Sequence, residues 1–430
     1  MKRRSFLFFG GSLAAASSVQ DAQAKWALES YLNGGDSNMD SPQFEALREL
    51  FPLKSDRIFL NNGTMGITPY PVLQTVQNEY KNIAENAAYP AHNGSLETAL
   101  AKVIGAQSHE IGITKNVSEG INHICWGIPL KKGDEVLMTT HEHVGGCAPW
   151  LHRAKIDGII IKTFELGSTA AETLNRFESA ITPKTRAFAV PHIPCTIGQI
   201  LPIREMCTLA RTRNIISCVD GAHPLGMIEF NVKELGCDYY AGCFHKWVLG
   251  PIGTGWLYIH EQRLSQTKIT HVAAYSLDNF NMNQNPPMLS DPINKASRYS
   301  YGTFSGPLWL GAEKSLELYQ KIGPQNIEKR VKSLSGYLQD QLLAIGDGIQ
   351  MLTPAESKSR GAQIGFKIHP QKTKKDNPNS GFVNYARSKN IILRHVAENG
   401  LDSIRISTHY YNTQNEIDQC VSLLKEYAFS

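Results

Sequence analysis

Between residues 95 and 260, short apolar or β-branched runs alternate with helical or turn-rich stretches, and this alternation narrows the fold more than any other feature of the chain. The runs are Glu135–Thr139, Gly158–Lys162, Ala187–Val190, Ile215–Asp220, Asp238–Gly242 and Gly255–Ile259. Strands joined by helical crossovers predict an α/β fold built on a mostly parallel central sheet. Downstream, residues 308–345 have helical periodicity. Strand-like pieces at 362–368 and 390–407 follow, and an amphipathic helix over Glu416–Tyr427 closes a smaller C-terminal α/β subdomain.

A chain of 430 residues exceeds the usual single-core size, so division is expected. The reading is a leader over 1–24, an N-terminal segment over 25–84, a large domain over 85–307 and a small domain over 308–430. Residues 25 to about 55 read as polar and irregular. Arg57–Gly66 runs from a short apolar strand into a turn rich in Asn and Gly, and Lys372–Asn379 reads as an exposed loop. A net charge of only +4, with basic residues scattered, gives no support for nucleic-acid or anionic-membrane binding and points to small-molecule partners.

The start combines a basic head with Arg3-Arg4-Ser5-Phe6-Leu7, a mildly apolar middle and Ala22-Gln23-Ala24, a small-x-small cleavage pattern. It is similar to twin-arginine export signals, which implies a periplasmic mature protein beginning near Lys25. An ordinary secretory signal or an uncleaved anchor fits the same residues. No later run approaches the ~18 apolar residues a membrane span needs. Eight cysteines without a C-x-x-C pair read as core thiols, and folding before export would keep them reduced.

In open parallel sheets ligands sit beyond the carboxyl ends of the strands. Those ends are polar here: Thr114–Ser118, His141 and His143, His192, Asp220 and His223, His245 and Lys246. Asp238–Trp247 (DYYAGCFHKW) ends an aromatic, apolar run on a lysine, a residue rarely buried unless paired. By itself Lys246 could be a surface lysine, and Asp220 in Val219-Asp-Gly-Ala-His-Pro224 a turn former. Together, a Schiff-base lysine and a carboxylate for a pyridinium nitrogen are what pyridoxal phosphate chemistry requires. Thr114–Asn122 (TKNVSEGIN) offers backbone donors at a helix start, with Asn116 and Glu119 spaced as a capping box; an ordinary capped helix fits it too.

These pieces, with Glu142-His143, Tyr301-Gly-Thr-Phe304 and Arg405–Thr413 (RISTHYYNT), resemble in order and spacing the fold-type I pyridoxal phosphate enzymes of the aminotransferase class V family, from about Phe59 to Asp418. The resemblance implies that Lys246 is the Schiff-base lysine, Asp220 the partner of the ring nitrogen and His143 the residue stacked on the ring. It implies a phosphate held by Ser118, backbone at Val117, His245 and, from the second subunit of a homodimer, Thr303. His223 falls near the ring hydroxyl, Cys195 beside the cofactor, and Arg405, with Asn61, at the substrate carboxylate. Cys195 and Cys243 stand where Ser or Asn is usual. His141 and His143 lack a third ligand at metal-binding spacing, so no metal is expected.

Cysteine desulfurases of the family carry a nucleophilic cysteine in the segment that here reads Ile391–Arg405, which contains none. The segment is more similar to the isopenicillin N epimerase-like branch. The resemblance therefore implies an epimerase or aminotransferase acting at an amino acid α-carbon, ahead of a C–S lyase, with desulfuration not expected. A non-catalytic exported binding protein is the reading from another class.

Overall fold

The computed structural model describes residue 23 and residues 25–32, 42–89 and 93–429. Apart from Gln23, the expected leader lies outside the described residues. After a two-residue strand, β1 (Ile58–Phe59), seven strands build one sheet: β2 (Ile111–Thr114), β3 (Glu135–Thr139), β4 (Ile160–Phe164), β5 (Thr185–Pro191), β6 (Ile216–Gly221), β7 (Tyr239–Cys243) and β8 (Gly255–Ile259). Their order is β2-β8-β7-β6-β5-β3-β4, and β8 alone runs against its neighbours.

All six expected runs are strands, with small shifts. Gly158 ends the preceding helix at φ +71°, so β4 starts at Ile160 rather than at the glycine. The link from β7 to β8 carries no crossover helix, and an antiparallel return is what a short connection permits. The middle of the sheet is dry: Phe188, Val219, Tyr240 and Trp256 are fully buried, with Tyr240 and Trp256 stacked at 5.4 Å.

A short hairpin, β9 (Phe280–Asn281) with β10 (Met288–Leu289), follows the large sheet. The C-terminal part holds β11 (Ile349–Met351), β12 (Gln363–Ile368), β13 (Ile391–Ile392), β14 (Arg394–Val396) and β15 (Ser403–Ser407). Four of these form an antiparallel sheet in the order β11-β12-β15-β14, while β13 pairs in parallel with β1. This sheet has its own core, in which Leu338, Phe366, Phe382, Ile404 and Leu424 are buried.

Three expectations change. The periodic stretch 308–345 is two helices, Gly306–Ile322 and Pro324–Leu343, because Gly323 takes φ +96° and Pro324 starts a new helix. The described residues of 25–55 are not all irregular: they include helical turns at 25–32, Pro42–Ala46 and Leu47–Leu50, and they bury Tyr31, Phe44, Leu47, Leu50 and Phe51 in the main core. The loop expected over Lys372–Asn379 ends early, since Pro378 opens a helix and buried Asn379 accepts the Ile368 N–H at 2.9 Å. Among the described residues no helix is long and apolar enough to cross a membrane, and all eight cysteines are free thiols.

Phe188, at the centre of β5, meets Phe177 edge-on at 5.3 Å with no exposed surface. Phe188→Ala should destabilise the protein by about 3–5 kcal/mol. Guanidinium denaturation would register this as a lower midpoint at constant slope, and a loss below about 1 kcal/mol would contradict so tight a core.

Candidate active site

Beyond the carboxyl ends of β5, β6 and β7 lies a cavity of about 370 Å³. Asp220 reaches it from the end of β6, and His245 and Lys246 from the bend after β7. Asn116, Val117 and Ser118 enter at the start of the helix Val117–Gly127, and His143 at the start of the helix Val144–Asp157. Pro191, Ile193, Cys195, His223, Cys243, Arg394 and the turn residues Gly63 and Thr64 complete the wall.

Lys246 is half-buried, and its Nζ lies 3.4 Å from His223 Nε2. Trp247 Nε1–H donates to His223 Nδ1 at 3.1 Å, with the Gln363 amide 3.1 Å from the same nitrogen. Burial, first, and the Lys246 charge, second, push His223 well below the usual histidine range, so its ring is neutral. With Nδ1 accepting, the ring proton belongs on Nε2, facing the lysine.

Asp220 Oδ1 accepts the Ala222 N–H at 2.9 Å, the turn-forming role, and the residue lines the cavity. Burial raises its pKa, opposed mainly by Lys246. Glu142 lies close by: a Cβ added at Gly146 would sit 2.8 Å from Asp220 Oδ2 and 3.6 Å from Glu142 Oε2. Glu142 Oε1 accepts from Thr139 N and Oγ1 at 3.0 and 2.8 Å, yet burial pushes its pKa up to about 8.

Asn116 caps its helix by accepting the Glu119 N–H at 2.9 Å, while Glu119 reaches Lys115 N rather than the cap's own N–H. At the neighbouring helix start only glycine leaves Ser118 and His143 in place: a Cβ at Gly145 would fall 2.3 Å from Ser118 Oγ and 3.2 Å from His143 Nδ1. His245 Nδ1 is buried without a partner. Helix N–H groups, a hydroxyl and an orphaned imidazole nitrogen around an open cradle fit a phosphate, and Asp220 with Lys246 fit a pyridine aldehyde.

Arg405 is fully buried behind the wall formed by Gly63 and Thr64. It donates to Cys195 O at 2.8 Å, Asn61 Oδ1 at 3.0 Å and Thr64 Oγ1 at 2.9 Å, and its Nε has no partner. All three partners are neutral, so burial lowers its pKa to about 9. Burial likewise pushes the Cys243 thiol up to about 11 and raises Cys195, so neither is a thiolate at neutral pH.

Of the strand-end residues expected at the site, four lie elsewhere or face away. His192 is buried against Tyr240 OH at 2.9 Å, and His141 Nδ1 meets Thr196 Oγ1 at 2.9 Å. Thr114 bonds Asn116 O, and Lys115 pairs with Glu119 on the surface. Asn61 and Arg405 stand behind the wall rather than in it. Thr303 is exposed and is not among the residues lining this chain's cavity. Among the described residues no group of three or more His, Cys, Asp or Glu could hold a metal ion. Arg394 escaped the sequence reading, as did Gly63 and Thr64; the signal available was the arginine in Ile391-Ile-Leu-Arg394, in the segment searched only for cysteine.

Comparison with known proteins gives the family and the fold. The aminotransferase class-V family model matches residues 58–420. The isopenicillin N epimerase of Streptomyces clavuligerus is 29% identical over 388 residues, covering 85% of this chain and 93% of that one. A probable cysteine desulfurase of Methanothermobacter thermautotrophicus is 26% identical, covering 89% and 98%. The solved cystine C–S lyase C-DES, in complex with its product cysteine persulfide, is 26% identical with a TM-score of 0.79, covering 88% of this chain and all of that one. A further C-DES structure, with glycine covalently linked to its PLP cofactor, gives a TM-score of 0.78.

Raised from its ordinary 4.5 to about 8, Glu142 stays protonated in the folded protein while the unfolded chain ionises. Its contribution is therefore full below pH 4.5 and is lost as pH rises toward 8. Thermal melts of the cofactor-free protein should show the wild type losing stability relative to Glu142→Gln across that window and no further change above it. A parallel course of the two would place the proton elsewhere.

Proposed function

This chain belongs to the aminotransferase class V family, and from that premise we propose that it is an enzyme acting at the α-carbon of an amino acid, with pyridoxal phosphate held in the cavity described above. Bound there, the cofactor supplies an electron sink for negative charge at the α-carbon. The observation that carries the reading is the convergence of Asp220 and Lys246 from neighbouring strands on one cavity, next to a buried arginine with no acidic partner.

Each residue's task follows from its surroundings. Lys246 holds the cofactor and, once free, is the base that moves the α-proton at Nζ. Asp220 would pair with the ring nitrogen and keep it protonated. His143 covers the ring, with its Nδ1 already taken by Gly145 N–H at 3.0 Å. Val117, Ser118 and His245 take the phosphate. Arg405 is a desolvated cation awaiting an anion, and an α-carboxylate that displaces Asn61 or Thr64 would supply a bidentate, charge-assisted pair.

Epimerisation or transamination is supported by the isopenicillin N epimerase likeness. A second reading, C–S bond cleavage, is favoured by the desulfurase relatives and by the C-DES structures. The sequence expectation that set desulfuration aside rested on the missing cysteine in Ile391–Arg405, and these relatives do not favour excluding it. The products separate the readings: inverted configuration of the same amino acid, an amino group passed to an added keto acid, or ammonia and a keto acid together with sulfide from cysteine or cysteine persulfide from cystine.

The purified protein should be yellow, and borohydride should fix the chromophore to Lys246. Lys246→Ala should lose that attachment and about 10²–10⁴-fold of turnover. A colourless protein that takes up no added cofactor would sink the reading and leave the binding-scaffold alternative. We propose also a homodimer, supported by the family resemblance that puts exposed Thr303 at a second subunit's site and by Phe280, Met282 and Leu289, large apolar side chains each at least 62% exposed. Sedimentation should give a dimer, and a fully active monomer would refute the shared site.

A further inference from the structure

Among the charged residues of the cavity wall, Asp220 and Lys246 are taken up by the cofactor, and Arg394 has no task. It stands on β14 directly opposite Arg405 on β15. Residues opposed across antiparallel strands project from the same face with Cβ atoms about 4.5–5.5 Å apart, where like charges repel. One acid answers these two guanidinium groups: Arg394 Nη2 donates to Glu398 Oε1, four residues on, and both side chains are about one-fifth exposed. Glu398 itself does not line the cavity, whereas Arg394 does. A guanidinium carries five N–H donors, so the bond to Glu398 leaves most of them for a ligand. The segment bearing Glu398 is tied to the large domain by Asn399 Nδ2 donating to Thr140 O at 2.7 Å.

We propose that the substrate is an α-amino acid with a second, side-chain carboxylate, which Arg394 binds while Arg405 takes the α-carboxylate. The proposal rests on the cofactor and α-carboxylate assignments made above. Arg394 lines the cavity and Arg405 lies behind its wall on the paired strand, so one substrate end meets Arg394 and the other reaches Arg405 where Asn61 or Thr64 gives way. Glu398, outside the cavity, holds part of the Arg394 guanidinium, and the substrate's second carboxylate competes with it for that group.

The test is a spectral titration of the full-length holoenzyme with paired amino acids that differ only in side-chain charge: aspartate against asparagine, glutamate against glutamine. Wild type should prefer the acid of at least one pair by about tenfold or more. Arg394→Gln should bring that ratio to about one, Arg394→Lys should retain part of it, and Arg405→Lys should weaken both members alike and keep the ratio. Glu398→Gln should widen it. No preference in the wild type, or equal weakening of acid and amide by Arg394→Gln, overturns the proposal; the second result would make Arg394 part of the α-carboxylate clamp. Failure of the cofactor reading is recognisable separately, as the absence of a visible band before any amino acid is added.

Discussion

The site hangs on the parallel pairing of β6 with β7. In that register Asp220 stands opposite Ala241 and Gly221 opposite Gly242, so the carboxylate and the bend carrying Lys246 emerge at the same end of the sheet. Aromatic rings crowd both glycines: a Cβ at Gly221 would meet the Tyr240 ring at 1.7 Å, and one at Gly242 the Trp256 ring at 2.3 Å. A side chain at either position would push the strands apart or shift the ring stack beneath them. Packing far from solvent thus sets the spacing of two groups that must face one ring.

The same end of the sheet concentrates buried charge that the protein alone does not balance. Arg405 has only neutral partners, Glu142 stays protonated, and Asp220 is raised by burial despite the nearby lysine. Isolated buried charge is destabilising, and its persistence in a cavity is intelligible when ligands supply the missing partners. Under the proposed function, a phosphate, a pyridinium and a carboxylate would be the missing partners of His245, Asp220 and Arg405. Ligand binding should then return stability that folding alone forgoes.

Much of this was legible in the sequence, for identifiable reasons. Buried parallel strands are continuous apolar runs, so β3, β5, β6 and β7 announce themselves, and a polar residue closing such a run stands out. Asp220, His143, His245 and Lys246 were found that way. What escaped depends on contacts between distant residues. Nothing local in His192 separates a core histidine bonded to Tyr240 from a cavity one. The direction of β8 depends on the lack of a crossover, and the placement of Arg405 behind Asn61 and Thr64 depends on a pairing more than 340 residues apart in the chain. Arg394 became visible only through its register with Arg405.

The cysteines bear on the reaction less than their positions suggest. A persulfide carried by the protein needs a thiolate nucleophile, and burial holds Cys195 and Cys243 in the thiol form. Elimination at a β-sulfur needs no such nucleophile: removal of the α-proton by Lys246 expels the leaving group. The missing cysteine in Ile391–Arg405 therefore argues against one route to C–S cleavage and leaves the other as accessible as transamination. Epimerisation alone demands more, because a proton must return from the face opposite the one it left. A single lysine serves one face, so epimerisation would need a second proton carrier on the opposite face, and the groups around the lysine decide among these reactions.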